Sequence, residues 1–175
     1  MKNHNYELGA NIREFIFGIE DGIIGNLGVV VGLAKAAAPN KIILLAGVAT
    51  MFAQAISMGV GNYLSIKSEK EYFDVKKKER EYGKAYSKHK SLIYSTLIMA
   101  FSVILGTALP LSVFLFYESS DGIIPAVGVT LLGLFTLGAV KTRYTFRHWF
   151  ISGLEMMLVG GLAAIVGFLI GTAFA

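Results

Sequence analysis

FIFGIEDGIIGNLGVVVGLA, residues 15–34, is apolar enough to cross a bilayer, yet it carries Glu20 and Asp21 side by side and holds five glycines. A hydrocarbon core needs about 20 predominantly apolar residues in a helix. Backbone facing lipid must satisfy its own hydrogen bonds, which a helix does internally. At about 100° per residue, Gly18, Gly22, Gly25, Gly28 and Gly32 fall on one stripe with Asp21, and Glu14 lies further along it. Glu20 points away. Small residues let helices approach closely in lipid, so the glycines are helix-packing positions. An intramembrane carboxylate is costly and marks a functional position by default. Asp21 also lies only about seven residues into the apolar run, where an interfacial position fits as well. Glu20 reads as an interfacial or structural charge.

Four more apolar runs repeat the pattern. The expected helices lie near 15–37, 42–66, 92–116, 122–141 and 149–174, in one transmembrane domain over 1–175. The runs are too long for strands and do not alternate. Pro110, inside the third, removes a backbone donor and is expected to kink it. Of 175 residues, 54% are hydrophobic and 16% charged, against about 25% charged in soluble domains. There is no cysteine, which excludes disulfides, thiolate metal sites and cysteine nucleophiles. The N-terminus lacks a signal-peptide pattern, so the first apolar segment is expected to be retained.

Basic residues set the orientation. The loop 67–91 holds nine Lys and Arg, the segment near 117–122 none, and the stretch from Lys141 to Arg147 three. Placing loop 67–91 in the cytoplasm puts 14 basic residues inside and two outside, so the N-terminus is expected inside and the C-terminus outside. The acids of that loop, Glu69, Glu71, Asp74, Glu79 and Glu81, alternate with lysines and read as i,i+4 ion pairs on a solvated helix. The loop will attract anionic headgroups. Nucleic acid is not an expected partner.

The second helix carries Gly47, Thr50, Met51, Gln54, Met58, Gly61, Asn62 and Ser65 at helical spacing. Oxygen donors suit hard cations and thioether sulfur suits softer transition metals. Methionine in an apolar helix is more often a gap filler. Opposite an acid-bearing stripe, both readings of Met58 stand.

GIEDGIIGNLGVVVGLA, AISMGVGNYLSIKSEKEYF, LGTALPL, LFTLGAVK and SGLEMMLVGGLAAIVGFLIG together resemble, in order, the five helices of the vacuolar iron transporter family. The resemblance covers nearly the whole chain. It implies an all-α integral membrane homodimer of five-helix subunits, with an ion path between the two first helices. It implies export of Fe²⁺, and in some members Mn²⁺, from the cytoplasm in exchange for protons. The ion-path roles carry over to Asp21 and Met58, and that of a cytoplasmic-mouth acid to Glu14. Two departures stand out. Family members carry a second-helix carboxylate at the place of Thr50 or of Asn62, and this chain has neither. Asn62 retains a carbonyl oxygen, and Thr50, Gln54 and Glu20 are possible accessory groups. The long metal-binding insertion of plant and protozoan members is absent from the basic loop.

The resemblance implies no permanently bound cofactor; metal ions and protons are the transported partners. The expected site of action is the plasma membrane of a prokaryote. The alternative is a non-transporting membrane scaffold or partner subunit that has lost part of the ion path. An enzyme is not expected: Asp21, His89 and His148 show no metal-ligand spacing.

Overall fold

The computed structural model describes residues 2–75, 91–145 and 147–175, the side chains of 2–10, 73–75 and 144–145 excepted. The described residues form five long helices and no strand: α1 Lys2–Lys35, α2 Asn40–Val75, α3 Leu92–Val113, α4 Ile123–Thr145 and α5 Trp149–Ala173, with a 3₁₀ turn at Ser119–Gly122. All five contain spans long and apolar enough to cross a membrane. The first two helices outrun the expected 15–37 and 42–66, because hydropathy marks only the part a bilayer covers. Beyond it a polar sequence continues the helix, and Lys67 and Glu71 pair at 3.9 Å on α2 in the expected i,i+4 manner. The side chains of Asp74, Glu79, Glu81 and His89 lie outside the described residues.

Helix α1 is the hub. Its Ile23 packs with Leu134 of α4 and Met156 of α5. Leu27 and Val31 pack with Ala164 of α5. Val30 and Ala34 meet Ile43 of α2 and Leu111 of α3. The turn after α1 closes with Ala37 at φ 56°, donating to Ala34, while Ala38 donates to Leu33 at 3.0 Å. That is the arrangement in which glycine usually takes the left-handed position.

Helix α3 starts at Ser91, whose hydroxyl accepts from the Tyr94 amide at 3.4 Å and so serves as its N-cap. It continues through Pro110 to Val113, short of the expected 116. The carbonyls beyond its end are taken by Asn40, which donates to Phe114 and Tyr117 and accepts from the Ser119 amide at 2.7 Å. One side chain thus joins both loops at the Asn40 end of the bundle.

Candidate metal path between α1 and α2

The five α1 glycines meet three different helices. A Cβ on Gly18 would lie 2.7 Å from Ser102 Cβ, and one on Gly22 2.5 Å from the Val103 carbonyl, both on α3. Gly106 of α3 answers by lying against Ile19. Gly25 lies under the amide of Gln54 on α2. Gly28 and Gly32 meet Gly167 and Gly171 of α5, so two small-xxx-small pairs cross each other. The stripe is one stripe on the wheel, but it runs about 21 Å along the axis, and neighbours crossing at an angle each take a part. Within the chain, Gly18, Gly22 and Gly32 are tightly occupied.

The contact of Gly25 with Gln54 fixes the register of α1 against α2. The two helices run in opposite directions along a short connection. One turn back on α1 is Asp21; one turn on along α2 is Met58. Each step of four residues is about 6 Å, so Asp21 and Met58 stand at one level. Both are half-buried. Gln54 Oε1, one turn away, is buried and has no hydrogen-bond partner among the described residues. Carboxylate, thioether and amide oxygen are thus grouped within two turns. Thr50 continues the α2 face one turn further and is also half-buried.

Glu14 and Asn62 are placed differently. Glu14 is fully buried and accepts a hydrogen bond from the Ser95 hydroxyl of α3, while Asn62 Nδ2 donates to the same hydroxyl at 3.5 Å. The two expected ion-path residues are joined through Ser95, a third helix's residue that sequence reasoning missed. A serine in an apolar helix carries no signal by itself; only its two partners reveal it. Glu20 is half-buried and within electrostatic reach of Lys141 on α4. His148 precedes α5 and stacks at 6.3 Å on Trp149.

A second polar position that sequence reasoning missed is Asn26. It is fully buried, and its Nδ2 donates to the Thr107 carbonyl at 2.9 Å. Thr107 lies three residues before Pro110 on α3. An amide brought in from α1 gives that carbonyl a second donor. Among the described residues no three of His, Asp or Glu gather into a metal-sized group. One chain contributes a mixed donor set here, with one carboxylate at the Met58 level.

A family model described as the VIT family matches residues 12–92 and 77–172, two pieces that meet at the basic loop. "Vacuolar iron transporter 1" of Oryza sativa subsp. japonica is 26% identical over 215 aligned positions, covering 94% of this chain and 85% of that protein. That alignment is longer than the 175 residues of this chain, so the rice protein carries additional residues. An uncharacterized protein of Methanocaldococcus jannaschii is 29% identical over 174 positions, covering 94% of this chain and 91% of its own length. It matches with almost no added length. The "Vacuolar iron transporter 1" of Arabidopsis thaliana reaches 37% identity over 79 residues, 44% of this chain and 32% of that protein.

Proposed function

The chain belongs to the VIT family, and from that premise we propose that it moves divalent transition-metal ions, Fe²⁺ first among them and Mn²⁺ second, out of the cytoplasm in exchange for protons. The observation that supports the reading is the seating of Gln54 on Gly25, from which the rise of two antiparallel helices brings Asp21 and Met58 to a common level. A cation passing there meets a carboxylate, a thioether and an amide oxygen in succession. Oxygen and sulfur together suit a borderline ion such as Fe²⁺ better than Mg²⁺ or Ca²⁺, which favour oxygen alone.

The coupling follows from the carboxylate. Metal binds the deprotonated ligand, so loading releases a proton and unloading takes one up. In a homodimer two copies of Asp21 would share one path. Like charges that close titrate as a pair and retain a proton when the metal leaves. This arrangement also supplies the ligands that one chain lacks. The proposed setting is the plasma membrane of a prokaryotic cell, supported by the matching length of the archaeal relative.

Proteoliposomes with a trapped pH dye test the reading. Fe²⁺ uptake should drive proton movement in the opposite direction. Asp21→Asn, which keeps size but removes charge and titration, should cut both fluxes at least about tenfold. Unchanged coupled transport in this variant would remove Asp21 from the mechanism. Absence of flux in the wild type across Fe²⁺, Mn²⁺, Co²⁺ and Zn²⁺ would favour a non-transporting membrane subunit.

A further inference from the structure

A groove of ≈ 390 Å³ opens sideways from the bundle between α1, α3 and α4. Ile23, Gly106, Leu109, Gly133, Thr136 and Val140 line it. Its one hydroxyl, that of Thr136, donates to the Leu132 carbonyl at 2.8 Å, so the groove makes no polar demand on an occupant. The groove lies within membrane-spanning segments of three helices. Gly106 lies against the Ile19 backbone, and a Cβ on Gly133 would meet the end of the Leu109 side chain at 2.5 Å, so the glycines bring the groove's walls together.

Its chemistry changes at one end. On α4 the residues Gly133, Thr136, Val140 and Arg143 follow at steps of three and four, which keeps them on one helix face. Arg143 is exposed, closes the apolar span Ser119–Arg143, and makes no ion pair among the described residues. It stands about 15 Å along the axis from Gly133 and about 5 Å beyond Val140. An apolar channel that ends on a guanidinium at the level where headgroups begin matches one molecule: an anionic lipid, tail in the groove and phosphate on the arginine.

We propose that this groove is a binding site for an anionic phospholipid, one acyl chain lying between α1, α3 and α4 and the phosphate held by Arg143. The site is separate from the Asp21–Met58 path and does not depend on transport. Its position against Ile19 and Ile23 makes the lipid a packing element for α1, the helix on which the whole bundle rests.

The test uses the full chain, purified and exchanged into mixed micelles of equal phosphatidylglycerol and phosphatidylcholine, washed, and read by mass spectrometry of the lipid retained. The wild type should retain phosphatidylglycerol in preference. Arg143→Gln should lower that preference roughly fivefold, the factor of one basic residue beside an anionic surface, and Arg143→Lys should keep most of it. Gly133→Leu should fill the groove and reduce retention of both lipids at unchanged helicity. If Gly133→Leu misfolds, Val140→Phe at the rim serves the same purpose. Equal retention of both lipids by the wild type, meaning annular lipid only, would overturn the proposal. So would a preference that survives Arg143→Gln.

Discussion

Ser95 converts two separate residues into a unit. Its hydroxyl donates to the buried Glu14 carboxylate and accepts from Asn62. Removing a hydrogen-bond donor from a buried acceptor costs about 1–3 kcal/mol, more when the acceptor is charged. Ser95→Ala should therefore lower the thermal stability of the purified protein, while Ser95→Thr should retain most of it. If the unfolding temperature of Ser95→Ala equals that of the wild type, this hydroxyl holds nothing. Met58 makes a different kind of residue-scale prediction. Met58→Leu keeps the apolar volume and removes the sulfur, so it should reduce transport of Fe²⁺ and Co²⁺ more than that of the harder Mn²⁺. A uniform loss across the three ions in competition assays would make Met58 a packing residue.

Helix α1 works as an element because its near face is backbone. Gly22 lies against the Val103 carbonyl with no room for a Cβ, whereas none of the described residues stands within 4 Å of a Cβ on Gly61 of α2. Gly22→Ala should push α1 from α3 and cost about 1–3 kcal/mol, the usual range for overpacking. Gly61→Ala should not destabilise the chain and should add up to about 1 kcal/mol through alanine's higher helix propensity. Unfolding by denaturing detergent separates the two cases, and equal costs would mean that α1 and α3 are not in this contact. The contrast matters for assembly. Four of the α1 glycines face α3 or α5 of their own chain, whereas on α2 Ala49, Ala53, Ser57 and Gly61, four apart in sequence, are exposed.

For the whole molecule, orientation across the bilayer is the property to measure. The absence of cysteine means that a single introduced one is unique. The loop charges predict Lys67 in the cytoplasm and Ser120 outside. Lys67→Cys and Ser120→Cys, both at exposed positions, should react with an impermeant maleimide from opposite sides of the membrane. Labelling of both from the same side would break the five-span topology, since α3 alone separates them.

Five spans, their order and the candidate donor residues were determined by sequence alone, because each depends on local quantities. A run of apolar residues is costly to expose whatever surrounds it, and a carboxylate within it stands out without a partner. The family follows for a similar reason: its motifs are short, ordered pieces of single helices. Tertiary structure decided what those residues meet. A helical wheel gives a direction but no neighbour, so it drew five glycines as one seam; the crossing of α3, α2 and α5 over α1 divides that seam among them. The same crossing sends Glu14 into a buried contact with Ser95, some 80 residues away, and leaves Asp21 beside the level of Met58. Contacts between residues so far apart in the chain depend on helix crossing and register. Those are set by where glycine lets two backbones touch, a property of pairs of helices that no single stretch of sequence contains.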